Sequence, residues 1–440
     1  MKSKPLIRTV CAAAPISLLA QFILSAACVP APPLSNPPLS GDEDAIRQAA
    51  EQLDAARRAS LPAMYRGTSF HTGQVRIGES LPISLRQRWR REDINIGVHT
   101  ASKSSPVADG DALFVGADSG VLYAIDARDG ATLWEWPSHP STNGIHATPA
   151  VDDSRVYIGD YAGWLTALDR FTGAVLWETK LGGSIGSSPV IVGDEIYVGV
   201  ETPRPDGFLA VVDRESGARL RESQRFGDHT HCTPTIDPLL GRAYIGSNHG
   251  NMLCLDALNM QELWRFSSEN APDTLPFGTP AGEFHGQIKS TAALVEQRVV
   301  FTSWDNNLYC LDAGDGSMLW SFASGSRSMS SPAVDPERRR IYFGSHDTHV
   351  YSVDFDTGGE LWRYRTGARV YSSPVVVPRT DGQGNVIVVG SYDAGVYLLD
   401  EEDGAALWQA RMSGPVTSVP LVHGGRLFVS SDGGDLVCWE

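Results

Sequence analysis

Ser/Thr-Pro pairs, or close equivalents, recur along the chain, and the residues just ahead of them are the ones whose types could do chemistry. Two positions before each pair stand Lys103, His146, Gly186, His231, Lys289, Met329, Tyr371 and Thr417. Four positions before stand Ala101, Gly144, Ser184, His229, Gln287, Arg327, Arg369 and Pro415. Past the N-terminal leader the only lysines are Lys103, Lys180 and Lys289, and two of these fall in the set. If equivalent positions converge, Lys103, His146, His229, His231, Lys289, Arg327 and Arg369 form a candidate cationic mouth on a chain of net charge -16. Such a funnel concentrates anions: a small acid, a phosphate or an acidic peptide. The plainer expectation is a solvated wall, partly neutralised by Asp118, Asp160, Glu201, Asp305, Asp347, Asp393 and Asp432, most of which suit turns. The pairs His229/His231 and His346/His349 lack a Cys or carboxylate at structural-zinc spacing, so no metal is assigned to them.

What would bring these positions together is a repeat. AIDARDGATLW (124–134), ALDRFTGAVLW (167–177), VVDRESGARLR (211–221), CLDALNMQELW (254–264), CLDAGDGSMLW (310–320), SVDFDTGGELW (352–362) and LLDEEDGAALW (398–408) share one pattern. Their aspartates, Asp126, Asp169, Asp213, Asp256, Asp312, Asp354 and Asp400, are spaced by 43, 44, 43, 56, 42 and 46 residues. Gly follows four positions later except at Met260, and Trp eight positions later except at Arg221. The apolar run before each Asp reads as a strand, Asp caps a turn, Gly supplies its positive φ, and the next strand carries the Trp. Two further strands precede each unit, so about 43 residues make four antiparallel strands, which is a propeller blade. The last unit stops at Glu440, the position of the motif Asp, without a fourth strand. LRQRW (85–89) is an orphan fourth strand, with Trp89 one period, 45 residues, before Trp134. The expectation is an all-β, eight-bladed propeller over 81–440, its last blade closed by the N-terminal strand. Trp89, Trp134, Trp177, Trp264, Trp320, Trp362 and Trp408 are its plugs between blades.

This unit resembles the tryptophan-docking motif of the pyrroloquinoline-quinone (PQQ)-like propellers over roughly 85–440. That family has an enzymatic branch, the PQQ-dependent dehydrogenases, and a non-enzymatic branch of BamB-type lipoproteins that assist outer-membrane barrel assembly. The dehydrogenase branch implies PQQ with Ca²⁺ held by Glu, Asn and Asp, roles that Glu201, Asn248 and Asp305 could fill, and an Asp as base. The enzyme features are otherwise thin: there is no vicinal Cys pair, no C-x-x-C-H haem site, and the blades are minimal.

The two ends add a compartment. Lys2, Lys4 and Arg8 precede a mostly apolar stretch, Val10 to Ala27, which reads as an export signal (1–27). Leu24-Ser25-Ala26-Ala27-Cys28 resembles a bacterial lipobox, with Ser25 where Leu is usual, which makes Cys28 the expected lipidation site; ordinary cleavage is the alternative. Residues 28–41 form a Pro-rich tether and 42–80 a short helix (42–59) followed by an irregular segment. Cys254, Cys310 and Cys438 occupy one repeat position and read as buried core, so no disulfide framework is expected. The insertion at 267–288 and the enlarged loop at 201–207 fall on the mouth side, as a lid, a docking loop or tolerated surface.

The acidic composition argues against nucleic acid as partner. The reading is an exported, lipid-anchored scaffold for envelope proteins such as barrel-assembly components, on the periplasmic side of the outer membrane, or else soluble and periplasmic or secreted, with no cofactor. The alternatives are a PQQ-dependent alcohol or sugar dehydrogenase, or a small-anion sensor at the basic mouth.

Overall fold

A computed structural model describes residues 62–76, 78–94, 104–268 and 286–440. The signal, Cys28, the tether, the 42–59 helix, Lys103 and most of the 267–288 insertion lie outside them. The described chain forms eight four-stranded antiparallel sheets. Blades 1 to 7 are each contiguous: 107–137, 150–180, 190–222, 235–267, 293–323, 333–365 and 375–411. Blade 8 takes its inner three strands from 421–439 and its outer strand from Gln87–Arg91. The closing strand therefore begins two residues later than the sequence suggests, with a bulge between Gln87 and Trp89. Trp89 pairs with Cys438, Arg86 and Glu440 exchange backbone hydrogen bonds of 2.8 and 2.9 Å, and Arg88 grips the Glu440 carboxylate at 2.8 and 3.0 Å.

Sequence pattern explains the layering. The middle strands of each blade are largely apolar and buried up to the motif Asp, as in Val386–Gly390 facing Val396–Leu399. The outer strands alternate, with the Trp turned inward, as in Glu360–Arg365. Each Trp then docks on the following blade. Its indole N–H donates to the carbonyl one residue after that blade's motif Asp: Trp134 to Arg170 (2.8 Å), Trp320 to Phe355 (3.2 Å), Trp362 to Glu401 (2.9 Å). Its ring lies on the motif glycine. A Cβ on Gly173, at φ +70°, would stand 2.7 Å from the Trp134 ring, so the glycine is required twice over, by its backbone and by the indole. Around the ring the series closes through Trp408 to Leu85 and Trp89 to Ala127.

The two exceptions to the motif meet at one interface. Arg221 of blade 3 stands in for Trp, and its Nε donates to Ala257 O of blade 4 at 2.9 Å, the same acceptor position the indoles use. Blade 4 is the blade whose glycine is Met260, held at φ +61°. A side chain there obstructs an indole, while a flat guanidinium keeps the hydrogen bond and adds ion pairs to Glu195 at 2.5 and 2.7 Å. Arg221→Trp alone is expected to cost about 1–3 kcal/mol through overpacking. Combined with Met260→Gly, part of that cost should return as a favourable coupling in chemical denaturation; additive effects would break the matched-pair account.

The segment read as irregular is a plug. The described residues of 63–81 turn at 65–71 and bond the innermost strands of five blades: Ala63 with Val151, Ser69 with Ile236, Phe70 with Leu294, Thr72 with Val334, and Gly73, Val75 and Leu81 with Val376 and Pro378. From Ala63 to Gly73 its partners pass from blade to blade, which leaves no periodicity to read. Arg66 is buried at its centre and donates to Pro332 O (2.5 Å), Pro374 O (3.3 Å) and His71 O (3.3 Å). The plug contacts the turns between first and second strands, since Glu79 accepts from Gly424 and Gly425 N–H and pairs with His423. It thus stands at the end away from the loops between second and third strands, and the mouth formed by those loops is the end it leaves free.

The four described cysteines are free and buried. Burial pushes the Cys254, Cys310 and Cys438 thiols up to about 12, so they act as core, as expected. No helix among the described residues is long and apolar enough to cross a membrane.

Candidate functional site

Two columns of side chains line the mouth. One is the set ahead of each first strand, as expected. The other was found in part, through Asp118, Glu201, Asn248 and Asp432: it lies two residues beyond the second-strand glycine or its equivalent, and also holds Tyr161, Trp304, His346 and Tyr392. The columns interlock from blade to blade. Asp118 Oδ1 lies 3.2 Å from His146 Nε2, Glu201 Oε1 lies 3.0 Å from His231 Nδ1, and the His346 and Tyr371 rings are 4.3 Å apart. Aligning the repeats on the second-strand glycine, rather than on the acidic turn residues, would have exposed this column.

The mouth divides into two unlike halves. In blades 1 to 4, histidines face carboxylates. Glu201 is 3% exposed and takes a hydrogen bond from Ser184 Oγ at 2.8 Å, with His229 Nδ1 3.8 Å away. Burial pushes the Glu201 carboxyl up, but the charge and hydrogen bond of His231, aided by Ser184 and His229, hold it below the usual range. These groups, with His146, Tyr161 and Pro203 from the 201–207 loop, border a recess of about 560 Å³.

In blades 5 to 7 the cations rest on aromatic faces. Lys289 Nζ is 4.0 Å and Arg327 Cζ 4.4 Å from the Trp304 ring centre. Arg327 Nε donates to His346 Nδ1 at 3.1 Å, and Arg369 lies 5.0 and 4.2 Å from the Tyr371 and Tyr392 rings. Burial, then the neighbouring Arg327, lowers the Lys289 pKa to about 8. Burial and the nearby Arg327, Arg369 and Lys289 charges lower His346 to about 4, so its ring is neutral and Nδ1 is the acceptor.

The acids expected to neutralise this half turn away from it. Asp305, Asp347 and Asp393 stand one residue past the mouth column, where they accept from Tyr309, Tyr351 and Tyr397 hydroxyls at 2.7, 2.6 and 2.7 Å and cap their own turns. The seven predicted cationic residues are therefore not one continuous ring. Lys103 is outside the described residues, His146, His229 and His231 face carboxylates, and Lys289, Arg327 and Arg369 form a separate arc. Glu201, Asn248 and Asp305 do not form a ligand set either, since Trp304 holds the place Asp305 would need. Among the described residues no group of three or more His, Cys, Asp or Glu side chains is placed to hold a metal ion.

The family model described as outer membrane protein assembly factor BamB matches residues 83–145, 118–274, 250–382 and 346–439. The chain belongs to the BamB family. Among solved structures, BamB from Moraxella catarrhalis superposes with a TM-score of 0.63 at 21% identity, covering 81% of this chain and all (100%) of that one. The fold is shared with enzymes. A quinohemoprotein alcohol dehydrogenase from Comamonas testosteroni gives 0.71 at 14% identity, covering 96% of this chain and 84% of that chain. A europium-containing methanol dehydrogenase gives 0.69 at 14% identity, covering 86% and 90%. No match was found among curated protein sequences. In this BamB-family propeller, cations for the carboxylates of PQQ are present, while Asp305, one of the three candidate Ca²⁺ ligands, is engaged by Tyr309, so the full Glu, Asn and Asp set is not brought together among the described residues.

Proposed function

We propose that this protein is a non-catalytic docking scaffold of the cell envelope, anchored through lipidated Cys28, facing the periplasm at the outer membrane, and binding barrel-assembly components through its mouth. The observation that carries the reading is the BamB-family match across nearly the whole propeller, 83–439. The fold is compatible with it: the plug occupies one end of the channel, while the other presents interlocked polar and aromatic columns and a recess. A mouth of this kind can hold a partner's loops without breaking a bond.

The test uses the full mature chain and purified barrel-assembly proteins. Direct binding, reduced at least about tenfold by the charge reversal Arg327→Glu, is the expected result. Cys28→Ser is expected to release the protein from membranes, and unchanged fractionation would remove the anchor. Dye-linked alcohol oxidation on adding PQQ and Ca²⁺ would overturn the scaffold reading in favour of the dehydrogenase.

A further inference from the structure

Lys289, Arg327 and Arg369 are cations gathered in one arc of an acidic protein, and none of them makes an ion pair among the described residues. Every other described Arg with a short ionic contact has an Asp or Glu opposite it, as Arg339 has Glu296 and Asp356. Assembling like charges with no carboxylate at ion-pair distance opposes folding unless something else is gained from them. Two more groups in the same arc lack partners: Trp304 Nε1 and His346 Nε2 are buried polar atoms with no hydrogen bond. With Nδ1 accepting from Arg327, neutral His346 carries its proton on Nε2, so both orphans are donors. The arc is thus rich in donors and poor in acceptors, the opposite of the Glu201 half.

The geometry also says what shape of acid it suits. All three cations act on His346, but they reach it along a chain of contacts. Each is separated from the next by rings, in the order Lys289, Trp304, Arg327, His346, Tyr371, Arg369, Tyr392, with successive contacts of 4.0, 4.4, 3.1, 4.3, 5.0 and 4.2 Å. A row of this kind matches carboxylates presented at intervals along an extended chain; a compact polyacid would need donors aimed at a single centre. The aromatic faces hold the long side chains flat, which cuts the ordering entropy lost on binding.

We infer that the arc of blades 5 to 7 is a binding site for an acidic polypeptide segment of the docking partner, with Arg327 and Arg369 as its principal carboxylate contacts. This rests on the scaffold reading for the identity of the partner, but the site itself can be tested without it.

The probe is a fluorescently labelled Asp- and Ser-alternating peptide, titrated by anisotropy into the purified mature protein. Binding at low salt that weakens as salt rises is expected, with no binding of a Lys-alternating peptide. Arg327→Gln and Arg369→Gln should each weaken the acidic peptide by about tenfold, while Arg363→Gln, on the outer strand of the same blade 6, should leave it unchanged. Unaltered thermal unfolding of each variant keeps the comparison one of binding. Equal affinities for wild type and the Arg327→Gln/Arg369→Gln double variant would overturn the site. Citrate competing as tightly as the peptide would overturn the polypeptide assignment in favour of a small polyacid. If barrel-assembly proteins still bind the double variant, this inference fails and the scaffold reading stands. If the peptide binds and those proteins do not, the scaffold reading fails and the site stands.

Discussion

Trp362→Ala is expected to destabilise the propeller by about 3–5 kcal/mol, the cost of emptying a large buried aromatic site. The Trp362 ring lies against Gly404, where a Cβ would approach to 2.6 Å, and stands 5.8 Å from the Tyr342 ring. Its indole is buried and donates to Glu401 O at 2.9 Å. Removing it leaves a void between blades 6 and 7 and an acceptor without its donor. Trp362→Phe separates the two contributions, because it keeps most of the volume and loses the N–H, and should cost about 1–3 kcal/mol. Urea unfolding followed by circular dichroism reads both. A loss below about 1 kcal/mol for the alanine variant would mean that blades are held by their inner strands and the docking is incidental.

Arg66→Ala is the second large effect, and it should act on the plug. Three buried carbonyls, of Pro332, Pro374 and His71, lose their donor together, and each orphaned acceptor costs about 1–3 kcal/mol less whatever water recovers. That loosens the middle of a segment whose other anchors are backbone hydrogen bonds, two-way at Ala63–Val151 and around Val376 and Leu81, and the His71 side chain on Pro234 O. The expected result is rapid proteolysis within 62–76 while the blades stay protected, together with a lower unfolding midpoint. Arg66→Lys should restore less than half of the loss, since one ammonium cannot reach carbonyls from blades 5/6 and 6/7 and from the plug with the fixed fork of a guanidinium. Equal protease resistance of wild type and Arg66→Ala would show that the plug is held by its backbone pairing alone.

Much of the architecture was legible because a propeller repeats. Asp, Gly and Trp recur for local reasons: a side-chain cap, a positive φ and a plug. The same three needs return in blade after blade, so the period counts the blades and Trp89 completes the count. The buried cysteines were legible in the same way, since Cys254 and Cys310 face Trp264 and Trp320 across the third and fourth strands just as Ala124 faces Trp134. Arg221 and Met260 were visible as two departures, but their kinship was not. They are 39 residues apart, and only the docking of blade 3 on blade 4 makes them one interface.

The candidate site was legible in half. The residues ahead of each first strand were found, and Lys289, Arg327 and Arg369 do share an arc. Their surroundings were misassigned by one residue: Asp305, Asp347 and Asp393 were the conspicuous charges, yet Trp304, His346 and Tyr392 beside them face the mouth. In a tight turn successive side chains diverge, so a shift of one position decides whether a carboxylate neutralises an arginine or caps its own backbone.

By itself, then, the amino-acid order determined the sheet type, the number of blades, the closure and the family, because each depends on short-range requirements repeated at a fixed interval. Tertiary structure alone decided that the 63–81 segment lies against the innermost strands, that histidines meet carboxylates on one side of the mouth, and that three cations on the other side rest on aromatic rings with no carboxylate at ion-pair distance. Those outcomes depend on pairs of residues from different blades, whose separation along the chain carries no signal until the ring has closed.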